Sequence, residues 1–246
     1  MDERQYVGWE GQVWTNLEEL RQKHQADIRE EEPGLSGIGM KPSFAIGQRA
    51  LLVETPAGNV LWECIPLLDE EMVRFVRERG GVAAIAVSHP HYYSSLVEWA
   101  RAFDAPVHLH EADRRWLMRP DPCVRFWSGE EQELLPGLTL LRVGGHFAGG
   151  TVLHWAGGER EGTLLSGDIV QVVPDRRWVS FMRSYPNLIP LSAGSVERIQ
   201  DRLEPFGFDR IYGAWYGRVV PSEGKAAVRR SAERYLAALN GVHAGD

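Results

Sequence analysis

"VSHPHYYSSL", Val87 to Leu96, is the stretch on which the reading of this chain turns. His89 and His91 stand two positions apart, directly after the apolar run Val82-Ala-Ala-Ile-Ala-Val87, which reads as a buried strand. Imidazoles at i and i+2 of an extended chain project to one side, so a strand end carrying them presents two nitrogen donors to one ion. A His-x-His pair alone is weak, because such pairs are often structural. Tyr92, Tyr93 and Ser94 follow where a larger metal site would continue with further ligands.

Outward from this stretch, strands and helices alternate. Ala50–Glu54 and Val60–Cys64 flank the turn-rich "TPAGN" and read as a hairpin. Met72, Val73, Phe75 and Val76 at helical spacing predict a helix over Glu70–Arg79, ended by Gly80-Gly81. Beyond the histidines come a helix over Ser95–Phe103, a strand over Pro106–His110 and a short helix over Ala112–Met118. The apolar runs Leu138–Val143, Thr151–Trp155 and Thr163–Leu165, separated by glycine-rich turns, favour an antiparallel part of a sheet. Ser195–Leu203 reads as helix, Arg210–Gly213 as a strand tip and Ser222–Leu239 as a long amphipathic helix stopping near Asn240-Gly241. Residues 1–43 read as an N-terminal extension with one helix, Asn16–Glu31, stopped by "EEPGLSGIG"; residues 44–246 form the main domain. This order predicts an α/β fold of two packed mixed sheets flanked by helices, with sites in loops beyond strand ends.

Composition narrows the function. The 246 residues are 43% hydrophobic and 25% charged, which describes an ordinary globular chain. A net charge of −7 with scattered basic residues argues against nucleic acid or an anionic membrane as the main partner and points to a small-molecule substrate. The two cysteines, Cys64 and Cys123, have neither the number nor the spacing of a disulfide framework or a cysteine zinc site. The charged Met1–Gln5 lacks the apolar core of a signal peptide, and no run approaches the roughly 20 apolar residues of a membrane span. A cytoplasmic protein is expected, with a homodimer possible on frequency alone.

Two further candidate ligands lie at strand-to-loop junctions. His146 stands in "GGHFAGG" after the Leu138–Val143 run, and Asp168 in "LLSGD" after another. Three neutral imidazoles and one carboxylate suit a borderline divalent ion, and glycines around His146 allow a sharp turn close to a ligand.

On these residues the chain resembles the metallo-β-lactamase-fold superfamily of metallohydrolases, over roughly residues 44–239. That superfamily's first motif is HxHxDH, followed by an isolated histidine in a glycine-rich turn, an aspartate at a strand end and a final histidine near the C-terminus. "SHPHYYS" supplies His89 and His91, "GGHFAGG" supplies His146 and "SGD" supplies Asp168. The resemblance implies the αββα sandwich, with the three histidines binding the first metal and Asp168 binding or bridging. The departures matter as much. Tyr93-Ser94 replaces the Asp-His of the second metal, and "YGAWYGR" offers only Trp215 or Tyr216 where the last histidine belongs.

One divalent ion is therefore expected, zinc first and iron as the alternative. The leading expectation is a mononuclear hydrolase of a small ester, thioester, amide or phosphoester, with Asp168 as fourth ligand or general base and neutral Tyr93 as hydrogen-bond donor to the developing oxyanion. Persulfide dioxygenases of the same superfamily use two histidines and a carboxylate on iron, and His89, His146 and Asp168 match those positions. The persistence of His91 ranks that reading second. A metal-binding pseudoenzyme is the third.

Other conspicuous residues have plainer readings. His108 and His110 are also two apart, but no glycine-rich turn opens their strand to an ion. His154 reads as a strand residue, His24 and His243 as solvent-exposed, and Tyr92 and Trp99 as packing residues. The loop "VPDRRWVSFMRSYPN", with Arg176, Arg177, Trp178, Arg183 and Tyr185, reads equally as a wall for an anionic substrate or as solvated surface; Arg218 carries the same two readings.

Overall fold

Short apolar runs punctuated by glycine turns build two mixed sheets. The structure, a computed structural model, describes residue 4, residues 9–157 and residues 161–242. The chain divides into two compact units, one of Gln5–Ser128 and one of Gly129–Asp246 with Met1–Arg4.

The first unit holds a seven-stranded sheet in sequential order. Its strands are β1 (Gln25–Glu32), β2 (Leu35–Lys41), β3 (Ala50–Val53), β4 (Val60–Trp62), β5 (Ala84–Ala86), β6 (Val107–His110) and β7 (Val124–Trp127). β1 to β4 pair antiparallel. From β4 to β7 the pairing is parallel, which requires crossovers. Helices α2 (Glu70–Glu78) and α3 (Leu96–Phe103) supply the first two. Asp69 caps α2 by accepting from the Met72 N–H at 2.8 Å, and Gly80 and Gly81, both at positive φ, end it. The segment expected as a short helix over Ala112–Met118 is a 3-10 helix, Glu111–Trp116.

The N-terminal segment corrects the sequence reading. Helix α1 runs only Leu17–Lys23, capped by Asn16, and Leu20 is its single buried residue. The expected helix over Asn16–Glu31 stops there because it has no apolar stripe to bury beyond Leu20. "QADIREEE" becomes β1 instead, paired in register with β2, whose residues are buried from Leu35 to Met40. Pairing with a buried strand outweighs the helix propensity of Arg29 and the glutamates. Pro33-Gly34, read as a helix stop, is a hairpin turn with Gly34 at φ 79°. Residues 25–41 thus belong to the same sheet as β3.

The second unit holds a six-stranded sheet. Its strands include β8 (Glu131–Leu135), β9 (Leu138–Arg142), β10 (Thr151–Trp155) and β11 (Thr163–Gly167), paired antiparallel in sequence as the glycine-separated runs predict. Two small ribbons follow, β12 (Gln171–Val172) with β13 (Val179–Ser180) and β14 (Met182–Ser184) with β15 (Ile189–Pro190). Strand β16 (Arg210–Gly213) then pairs parallel with β11 and antiparallel with β17 (Val219–Val220). Helices α4 (Ala193–Leu203) and α5 (Gly224–Leu239) bury Val196, Ile199, Ala227 and Val228 in one core with Leu141, Val152, Leu164 and Phe181. Among the described residues no helix is long and apolar enough to cross a membrane.

A cross-strand pair in the first unit makes stability depend on pH. His108 on β6 is the register partner of Arg125 on β7. Burial, and then the Arg125 charge, hold the His108 imidazole below its ordinary value of 6.5. The unfolded chain therefore takes up this proton at higher pH than the folded one. Stability present above the ordinary value is lost as pH falls through it towards the lowered value. His108→Gln is expected to flatten the fall in unfolding free energy on the acid side of neutrality, measured by urea denaturation at a series of pH values. An unchanged slope would remove His108 as its source.

Candidate metal centre

The first pair of donors is set by a strand end and a tight turn. β5 ends at Ala86, and His89 is extended at φ −166° before a single 3-10 turn, Pro90–Tyr92. Pro90 begins that turn, where its missing N–H and fixed φ do no harm. His91 lies inside the turn, which corrects the expectation that strand alternation alone brings the pair together. The rings still meet, with centroids 4.9 Å apart at 73°. Tyr92 is fully buried and packs edge-on against His89 at 4.5 Å. Ser88 Oγ lies 2.8 Å from His89 Nδ1.

His146 stands in a loop that only glycines can make. Gly144 and Gly145 have φ of 71° and 82°. A Cβ on Gly150 would come within 2.5 Å of the Gly144 carbonyl oxygen, so that close approach also requires glycine. His146 Nδ1 lies 3.1 Å from the Met182 carbonyl oxygen. A carbonyl only accepts, so Nδ1 carries the proton and Nε2 presents its lone pair. Arg4 donates to the His146 carbonyl at 2.9 Å, and its guanidinium lies over the Phe147 ring.

Asp168 follows β11 directly, after Gly167 at φ 56°, and is 4% exposed. The Tyr185 hydroxyl donates to its backbone carbonyl at 2.8 Å. Burial, then the Asp168 and Tyr235 charges, push the Tyr185 phenol well above its usual range, so it stays a donor.

One donor atom from each of His89, His91, His146 and Asp168 lies within 4.8 Å of those of the other three. All but His91 are buried. Three imidazoles and one carboxylate at that spacing fit a divalent metal ion.

A sequence profile described as the metallo-beta-lactamase superfamily matches residues 46–215. The chain belongs to the metallo-beta-lactamase superfamily. It is 51% identical over 242 residues to the uncharacterized protein YmaE of Bacillus subtilis (strain 168), covering 97% of this chain and 88% of that one. Among solved structures it is similar to the DIM-1 metallo-beta-lactamase, with a TM-score of 0.63 at 12% identity over 87% of this chain and 98% of that one. A metallo-beta-lactamase from Cronobacter sakazakii gives 0.57 at 17% identity over 88% and 94%. At such identities the structural likeness establishes the α/β metallo-beta-lactamase fold, as expected from the motifs, and no substrate.

Where superfamily members carry second-metal ligands, this chain places other groups. Tyr93 caps the 3-10 turn and is half-buried, and Ser94 is exposed. Burial first, then the Asp113 and Glu63 carboxylates, push the Tyr93 phenol well above its usual range. Trp215 and Tyr216 are half-buried in the turn joining β16 to β17, closed by the Arg218 N–H on the Trp215 carbonyl at 3.0 Å; Arg218 itself is half-buried there.

Among the described residues, His110, His154 and His24 have partners within the fold. His110 Nδ1 accepts the Ala112 N–H at 3.1 Å and so caps the Glu111–Trp116 turn. His154 is buried in β10, its Nε2 2.7 Å from the Gly207 carbonyl. His24 is half-buried rather than exposed, with Nδ1 2.7 Å from the Pro42 carbonyl. His243 lies outside the described residues. In the arginine-rich loop, Arg177 pairs with Asp175 at the surface, Arg176 and Arg183 are exposed, and Trp178 lies under Arg234 of α5 at 3.8 Å. Tyr185 of that loop donates to the Asp168 carbonyl, and its ring lies 5.8 Å from that of His146. Sequence reasoning missed Ser88, which follows an apolar strand it had found, and Glu63, which lay inside the Val60–Cys64 run, and it missed the Met182 carbonyl, a backbone group that no residue pattern marks.

The glycine loop is expected to be intolerant. Gly150→Ala forces the Gly144 carbonyl aside, a backbone shift worth about 1–3 kcal/mol. A lower urea midpoint together with weaker metal binding is the expected result, and an unchanged value of both would show that the loop is not under this constraint.

Proposed function

We propose that this chain is a mononuclear, metal-dependent hydrolase of a small ester, thioester, amide or phosphoester, with His89, His91, His146 and Asp168 holding the ion. The convergence of four donor atoms within 4.8 Å is the observation that supports it. Zinc suits three imidazoles and a carboxylate in a tetrahedral set. When bound, the ion supplies Lewis acidity and an acidified water near neutral pH. The protein's own part is orientation and proton handling. His146 is held in one tautomer by the Met182 carbonyl, and Asp168 is fixed by Tyr185 through its backbone. Tyr93 keeps its proton, because burial and two neighbouring carboxylates disfavour the phenolate, and in this reading it donates a hydrogen bond to the developing oxyanion. The substrate is a small molecule, met in a reducing cytoplasm where Cys64 and Cys123 stay free.

Two measurements test this reading. Purified wild-type protein is expected to hold about one divalent metal per chain, and His89→Ala and His146→Ala to lose it; a wild type without stoichiometric metal would remove the proposal. Tyr93→Phe is expected to retain the metal while lowering kcat about 10²- to 10³-fold on whichever ester, thioester or phosphoester the wild type turns over. An unchanged kcat would take Tyr93 out of the reaction.

A further inference from the structure

We infer that Glu63 is a positioning residue for His89, acting through Ser88. The inference rests on the reading of His89 as a metal ligand and adds to it the groups that aim its ring. Glu63 directly follows β4 and is 1% exposed, yet its φ is 71°. A non-glycine residue held there carries about 1–3 kcal/mol of strain and persists only where its surroundings demand that conformation. The demand is visible on both sides of the β5 exit. The Glu63 N–H donates to the carbonyl of Ala86, the last residue of β5, at 2.8 Å. Its Oε2 accepts the Ser88 N–H at 3.1 Å. One residue thus grips the chain before and after Val87, and Ser88 is fixed next to His89. The Ser88 hydroxyl is then 2.8 Å from His89 Nδ1. If His89 ligates through Nε2, its proton sits on Nδ1, and Ser88 Oγ stands where it would accept that proton.

Glu63 takes the Ser88 N–H with a carboxylate oxygen. A charge-assisted bond is stronger and more directional, which suits a group that must fix the register of a ligand-bearing turn. Cys64 follows and is buried, so the strand end cannot swing outward to relieve the strain.

The experiment uses purified full-length protein with zinc alone as the probe, titrated in competition with a chelating dye. Ser88→Ala and Glu63→Gln are each expected to weaken zinc binding about 10- to 100-fold, the usual effect of losing an outer hydrogen-bond partner of a ligand. Ser88→Thr restores the hydroxyl and is expected to bind as wild type. Because the two residues act in series, the double variant is expected to be no weaker than the weaker single variant. In metal-free protein, imidazole ¹⁵N shifts are expected to move His89 from the Nδ1–H towards the Nε2–H tautomer in Ser88→Ala, a change that a general loss of stability does not produce. If Glu63→Gln does not fold, the Ser88 pair still decides. Wild-type zinc affinity and an unchanged tautomer in Ser88→Ala would overturn the inference, as would fully additive losses in the double variant. A wild type that binds no zinc would overturn the metal-site reading instead, and the tautomer would still decide the role of Ser88.

Discussion

An imidazole can give a metal only one nitrogen, so a histidine site depends on what holds the other. In this chain that constraint is met from the backbone outward. The Met182 carbonyl fixes His146 and the Ser88 hydroxyl faces His89, each against Nδ1. A carbonyl leaves no choice of tautomer, whereas a hydroxyl can donate or accept. The His89 ring is therefore the less determined of the two, and the structure places more machinery around it: a 3-10 turn opened by proline, an edge-packed Tyr92 and a buried glutamate gripping the adjacent residue. Ring orientation costs entropy, and it is prepaid here by packing and hydrogen bonds formed on folding.

The same logic explains the backbone outliers. Gly144, Gly145 and Gly150 put a tight turn beneath His146, and Gly167 turns the chain immediately before Asp168. Glycine meets those conformations at little steric cost. Glu63 does not, since a side chain at positive φ is strained, yet its carboxylate is needed at that point. Strain at a non-glycine residue beside a candidate ligand marks the place where side-chain chemistry outranked backbone comfort.

Much of this was legible in the sequence, and the parts that were not have physical reasons. The four candidate ligands stood out because each follows an apolar run and has glycine or proline beside it, a local pattern. The antiparallel run from β9 to β11 followed from the glycine-rich turns between its strands, which leave no room for a crossover. The segment "QADIREEE" was misread because its strand character lies in its partner: β1 has little apolar surface, and only the buried β2 beside it makes an extended conformation favourable. The turn containing His91 was read as strand because an apolar run shows where a strand begins to be buried more clearly than where it ends. Ser88 and Glu63 were overlooked for a different reason. A lone serine or glutamate next to a strand is usually surface, and burial and a 3 Å contact are tertiary facts.

Tyr93 is where this chain departs from the HxHxDH motif. In an HxHxDH motif an aspartate occupies this position, and a carboxylate without a cation to neutralise it would be a buried, unpaired charge. The chain already keeps Glu63 and Asp113 nearly fully buried in this unit. A third carboxylate beside them would raise the repulsion further, and the carboxylates would take up protons. A phenol avoids this, because it is neutral in the same surroundings that push its pKa upward, and it still offers one O–H donor. A tyrosine at this position is thus electrostatically consistent with neighbours that include the Glu63 and Asp113 carboxylates. The neighbourhood that would make a second cation welcome instead makes the proton on Tyr93 hard to remove.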